Sequence, residues 1–164
     1  AVPTRAGCRA VPPCSTDAGR MTLAVDLAAT HARAMPHRPW TANAFARLLD
    51  SAGVFLIGDA RCFALGRVAA DEAELLTLAC DPDHRRQGLA RAALTAFEGT
   101  ALAKDARTAF LEVAADNHAA ITLYSNAGWE NAGRRKGYYS TCSGQVDAIV
   151  MRRDLTPHKA GLRR

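Results

Sequence analysis

Asp81-Pro82-Asp83-His84-Arg85-Arg86-Gln87-Gly88-Leu89-Ala90-Arg91 joins two stretches of different periodicity. Before it, ELLTLAC is an apolar run of strand length that Asp81-Pro82 ends. After it, Leu89, Ala92, Ala93, Ala96, Phe97 and Ala101 form a helical apolar stripe over residues 88–104. The segment is therefore a strand-to-helix turn. The first turn of a helix has backbone N–H groups without intrahelical partners, and the helix dipole adds about half a positive charge there, so a phosphate suits the place. Gly88 leaves the backbone open to a diphosphate, small Ala90 keeps the next turn clear, and Arg85, Arg86 and Arg91 add positive charge. An ordinary helix start beside a solvated basic loop is the alternative. The pattern is neither G-x-x-x-x-G-K-S/T nor G-x-G-x-x-G, so neither a nucleoside triphosphate site nor a dinucleotide site is indicated.

Working outward, residues 25–35 are Ala-rich, with Asp26 placed to cap a helix that Pro36 and Pro39 stop. Thr41 is placed to cap a second helix through Ala44, Phe45, Leu48 and Leu49. VFLIGD, a Gly58-Asp59 turn and CFALGRVA predict a hairpin, which ELLTLAC extends into an antiparallel meander. TAFLEV is the next strand. Asp116 or Asn117 caps a helix carrying Ile121 and Tyr124, and Gly128 stops it. Residues 129–133 and VDAIVMR close the chain as strands. The predicted order is α, α, β, β, β, α, β, α, β, β. This is a mixed α/β fold, not a pure sandwich or bundle.

The 164 residues suit one domain with one sizeable core. At 49% hydrophobic and 23% charged, the composition is that of a folding chain. The net charge of +5 divides into +2 over residues 1–20 and +4 over residues 152–164, leaving −1 for the body. No basic excess remains there to drive nucleic-acid binding. Residues 1–20 hold three prolines and no periodic apolar face, and are expected to be a disordered tail, an upstream read-through or an expression remnant. Residues 155–164 are expected to be a basic tail, with the working domain at 21–154. Cys8, Cys14, Cys62, Cys80 and Cys142 lack disulfide-framework or zinc-site spacing, so a reducing, cytoplasmic setting and no metal are expected. No run reaches the roughly 18 apolar residues of a membrane span, and no membrane partner is expected.

The motif R-x-x-G-x-A, at Arg85 to Ala90, resembles the acetyl-CoA motif of the GNAT acetyltransferases. HRPWTANAF, ELLTLACDP, FLEVAADNHAAITLYSNAGW, GRRKGYY and DAIVM resemble successive blocks of the bacterial RimI-type branch, which acetylates ribosomal protein N-termini. The likeness runs in order over about residues 22–153. It implies the GNAT fold: a largely antiparallel twisted sheet flanked by helices and splayed between the family's fourth and fifth strands. It also implies acetyl-CoA as co-substrate and, as acceptor, the N-terminal alanine of the eighteenth small-subunit ribosomal protein. A small-molecule amine or a protein lysine is the alternative acceptor, and a non-catalytic CoA-binding module the further alternative.

Position by position, the resemblance implies that the backbone of Leu78, Ala79 and Cys80 lies along the pantetheine arm. The stretch Arg85, Arg86, Gln87, Gly88, Leu89, Ala90 and Arg91 cradles the pyrophosphate, and Asn117 bonds the pantetheine or only caps its helix. Glu112 stands in the apolar strand FLEV, where an isolated carboxylate is costly unless partnered or functional. It is the candidate base, with a salt-bridged glutamate as the alternative. Tyr124 is the family's general acid, or else a core ring. Trp40, Tyr138 and Tyr139 line the acceptor cleft. Three residues depart from the branch pattern, Ala114 for arginine, Asp116 for serine and Trp129 for phenylalanine, and none is expected to touch the acid or the base.

Overall fold

The computed structural model describes residues 17–141 and 144–156. The elements are α1 (Asp17–Ala34), α2 (Ala42–Leu49), β1 (Val54–Asp59), β2 (Cys62–Ala69), β3 (Glu72–Cys80), a single 3-10 turn (Pro82–His84), α3 (Leu89–Ala103), β4 (Thr108–Ala114), α4 (His118–Asn126), β5 (Glu130–Thr141) and β6 (Gly144–Asp154). Their order is the predicted one. The strands form a six-stranded sheet in the order β1-β2-β3-β4-β6-β5. Every neighbouring pair is antiparallel except β3 and β4, which are parallel because α3 carries the chain back between them.

Two boundaries differ from the expectation. α1 begins at Asp17, so residues 17–20 of the expected tail are its first turn and Asp26 lies exposed within the helix instead of capping it. This early turn carries no apolar stripe and is held by polar contacts: Thr22 Oγ1 donates to Ala18 O at 3.0 Å, and Arg20 pairs with Asp50 at the end of α2. β5 continues past residue 133 to Thr141, through an irregular register in which Arg135 opposes Ala148 and Tyr139 opposes Val146. A polar, largely exposed strand such as ENAGRRKGYYST has no apolar alternation by which to announce itself. Cys8, Cys14, Cys142 and the expected tails over residues 1–16 and 157–164 lie outside the described residues.

Two features of β3 prepare the site. Leu65 of β2 opposes Thr77, but Gly66 opposes Leu75, so Leu76 is an extra residue and the strand bulges there. Ahead of the bulge Ala73 and Leu75 enter the core beneath α3, and beyond it Leu78 and Cys80 do, so the alternation changes phase. Second, β3 pairs with β4 from Glu72↔Thr108 to Leu75↔Leu111, although both strands run on to Cys80 and Ala114. Beyond that point the sheet splays, as expected. Two cores lie on the faces of the sheet. One packs Leu94 and Phe97 of α3 and Tyr124 of α4 onto the sheet, and the other packs Leu27 and Phe45 beneath α1 and α2 against Leu56, Phe63 and Leu65. Phe97 stacks on Phe55 at 5.5 Å, and a Cβ at Gly66 would run into both rings, so only glycine allows this approach.

Candidate active site

The chain leaves β3 through a tightly specified turn. Asp81 is buried; its Oδ1 accepts the Asp83 N–H at 2.9 Å, and Pro82 starts the 3-10 turn. Arg86 then takes φ +60° and Gly88 φ +78°. Left-handed residues two positions apart curl successive N–H groups toward a common side, and α3 begins at Leu89 with Gly88 as its N-cap and no side-chain cap. The open first-turn donors, three exposed arginines at 85, 86 and 91, and empty space where a Cβ of Gly88 would project form an open, positively charged concavity. Gly88 is required by its φ; nothing crowds its α-carbon.

Arg33, near the end of α1, reaches this turn, with Nη1 2.5 Å from Asp81 Oδ2 and Nη2 2.7 Å from Asp83 Oδ2. Hydrogen bonding and the charge of Arg33 hold the Asp83 carboxyl below its ordinary range. Arg85 Nη2 lies 3.4 Å from Ala34 O. The turn is thereby tied to the end of α1, where the chain passes into the loop ahead of α2.

Between α1, the splay and α4 lies a cavity of about 420 Å³. Leu78, Glu112, Asn117, Tyr124, Trp40 and Tyr139 all line it, so the structure gathers residues 99 positions apart in the chain around one space. Ala79 and Cys80 do not line it: the side chain of Ala79 is buried against α1 and α2, and Cys80 Sγ lies 3.6 Å from His84 O. Their strand edge nevertheless lies beyond the last pairing with β4. Asn117 caps α4, its Oδ1 accepting the Ala120 N–H at 3.2 Å, and still faces the cavity. Tyr138 is 49% exposed and lies off the cavity, edge-on to Tyr139 at 4.9 Å.

Glu112 is partnered: Arg135 Nε approaches its Oε1 to 3.0 Å. Hydrogen bonding to Glu112, and then its charge, push the Tyr138 phenol above its ordinary pKa. Burial, and then the nearby Tyr139, push Tyr124 up to about 12, so this phenol keeps its proton throughout the neutral range. Trp129 corrects an expectation, because it does touch the candidate acid: the two rings pack at 6.1 Å, and the Trp129 backbone N–H donates to Tyr124 O at 3.0 Å. Its indole Nε1–H is satisfied by Glu98 Oε1 at 2.7 Å. Ala114 and Asp116, the other departures, both line the cavity.

Sequence reasoning missed His31, Arg38 and Arg135. His31 is buried, stacks on Trp40 at 5.1 Å and accepts the Trp40 backbone N–H on Nδ1 at 3.2 Å. The Arg38 guanidinium lies 3.6 Å from the centre of the Tyr139 ring. No local pattern marks His31; Arg38, in HRPWTANAF, and Arg135, in GRRKGYY, stood inside family-like blocks without a role.

Residues 18–129 match the model of the Acetyltransferase (GNAT) family. The ribosomal protein bS18-alanine N-acetyltransferase of Escherichia coli is 44% identical over 94 residues, covering 57% of this chain and 64% of that relative. The match therefore spans somewhat less than two thirds of the relative's length. An N-alpha-acetyltransferase of Mycobacterium tuberculosis, named RimI, is 34% identical over 125 residues, covering 71% of this chain and 76% of the relative. Among solved structures, the crystal structure of the E. coli ribosomal-protein-alanine N-acetyltransferase superposes with a TM-score of 0.75 at 33% identity, over 92% of this chain and 96% of that one. By its match to the family model, by these relatives and by its splayed sheet, the chain belongs to the acetyltransferase (GNAT) family.

Proposed function

We propose that this chain transfers the acetyl group of acetyl-CoA to the N-terminal amine of a protein, foremost the N-terminal alanine of ribosomal protein bS18. The observation that carries the proposal is that Glu112 from β4 and Tyr124 from α4 face one cavity at the mouth of the splay. On this reading the turn from Arg85 to Arg91 holds the pyrophosphate, while Leu78 and Asn117 flank the pantetheine arm where β3 has left β4. Acetyl-CoA supplies the acetyl group as a thioester. Glu112 takes the proton of the incoming α-ammonium, whose ordinary pKa of about 7.7–8.0 lets a carboxylate do so near neutrality, directly or through water. The neutral amine attacks the thioester carbonyl and the C–S bond breaks; Tyr124, buried and protonated, gives its proton to the departing sulfur and recovers one from the nitrogen as the amide forms. Trp40 and Tyr139 wall the acceptor side. A ribosomal acceptor places the reaction in the cytoplasm.

The test is turnover of a peptide beginning Ala-Arg-Tyr, set beside polyamines and lysine peptides. Glu112→Gln and Tyr124→Phe are each expected to lower kcat by about 10²-fold or more, with acetyl-CoA binding retained. Wild-type rates in both variants would end the mechanism. Faster turnover of the lysine peptide or the polyamine would move the acceptor to that class.

A further inference from the structure

Glu112 lines a second cavity as well as the first. On the sheet face outside the acetyl-transfer cavity, a groove of about 390 Å³ is lined by Arg67, Glu74, Phe110, Glu112, Arg135 and others. Arg135 lines this groove and not the first cavity, while Glu112 borders both spaces. The carboxylate thus stands at the partition, and its Oε1 is engaged by the Arg135 guanidinium at 3.0 Å.

That contact conflicts with the role of a base. A carboxylate already paired with a guanidinium is poorly placed to take a proton from an ammonium group, so one cation has to yield. The geometry makes yielding cheap. The contact is a single one through Nε, with the Arg135 side chain 58% exposed and that of Glu112 26% exposed, and exposed pairs of this kind are held weakly. An empty partition would be worse, because a half-buried carboxylate without a counter-charge is costly. In this same position the guanidinium carbon of Arg135 lies 5.4 Å from the centre of the Tyr138 ring, so that ring stands ready to hold the cation once Glu112 releases it. Arg135 also sits where the β5 register becomes irregular, and the backbone beyond it is fastened by Gly137 N–H donating to Asp147 Oδ1 at 2.8 Å. The strand is pinned beside a side chain that already neighbours both groups.

We propose that Arg135 is the resident counter-ion of Glu112, that the acceptor's ammonium group takes its place, and that the displaced guanidinium moves onto the Tyr138 ring. Arg135 is then a positioning residue, acting through Glu112, that makes the site select a cationic amine before deprotonating it. This inference rests on the reading of Glu112 as base.

The experiment measures acceptor KM and kcat, with an alanine-initiated peptide and saturating acetyl-CoA, for Arg135→Met, Arg135→Lys and Arg135→Met combined with Glu112→Gln. Removing the competing cation is expected to lower acceptor KM roughly two- to fivefold, with kcat changed less. Arg135→Lys restores the wild-type KM, and Arg135→Met has no effect on acceptor KM in the Glu112→Gln background. A higher KM in Arg135→Met, or the same change with and without Glu112, overturns the proposal and leaves the base assignment standing. Full turnover by Glu112→Gln alone overturns both. Should Arg135→Met fail to fold, Arg135→Gln carries the same expectations.

Discussion

The turn from β3 into α3 and the wall between α1 and α2 meet at Arg33, yet they are built on opposite principles. The turn is exposed, contiguous in sequence and made of backbone: its shape comes from the φ values of Arg86 and Gly88, and its arginines project into solvent. The wall is made of rings from separated positions. His31 stacks on Trp40, and both pack against Phe45, which meets Phe63 of β2 edge-on at 5.7 Å. A charged ligand common to a whole family can be held by the first kind of structure, since backbone donors do not depend on side-chain identity. An acceptor that differs from enzyme to enzyme calls for the second kind. Damage to one region should therefore leave the other's ligand unaffected.

Trp40→Ala presses hardest on that separation. The ring is half-buried, so its loss is expected to cost about 2–3 kcal/mol of stability, somewhat less than a fully buried Trp. Acceptor KM should rise while acetyl-CoA affinity of the folded fraction stays put. Urea unfolding and calorimetric titration of acetyl-CoA measure the two effects. A parallel loss of acetyl-CoA affinity would show that the wall and the turn act as one unit, coupled through Arg33.

Gly88→Ala is the converse and smaller probe. A side chain at φ +78° costs about 1–2 kcal/mol, although there is room for the atom itself. Acetyl-CoA affinity is expected to fall roughly tenfold, the fold-change that about 1.4 kcal/mol represents, with acceptor KM at saturating acetyl-CoA unchanged. An unaltered acetyl-CoA affinity would mean that the left-handed turn does not shape the diphosphate site.

The same contrast explains what the sequence disclosed. The strand-to-helix turn at Gly88 was legible because its shape depends on neighbours in the chain, and Thr41 and Asn117 showed themselves as caps for the same reason. The element order followed from periodicities that burial enforces. Glu112 stood out as the one charge in an apolar strand, but its partner Arg135 belongs to β5, two strands away in sheet order, and no spacing links them. The phase change at Leu76 was equally hidden, since a bulge leaves ELLTLAC looking like any apolar run. The start of α1 at Asp17 was missed because polar contacts, rather than an apolar stripe, hold its first turn.

The smallest effect separates the regions by pH. His31 Nδ1 accepts the Trp40 N–H, so the neutral ring carries its proton on Nε2, which has no partner among the described residues. Burial lowers its pKa from the ordinary 6.5. Protonating Nδ1 would displace the Trp40 N–H and place a charge against Trp40 and Phe45. Because the folded value lies below the unfolded one, the unfolded chain binds this proton more readily. The stabilisation is present above pH 6.5 and is lost as pH falls from there through the folded value. In the turn, by contrast, Arg33 depresses the Asp83 carboxyl from its ordinary 3.8, so that contribution persists until the pH falls below that figure. Urea unfolding should thus show a loss beginning just below pH 6.5 that His31→Gln flattens, and a second loss below pH 3.8 that Arg33→Gln flattens and His31→Gln does not. If His31→Gln left the upper step in place, the buried imidazole would not be its source, and the wall would owe its stability to ring packing alone.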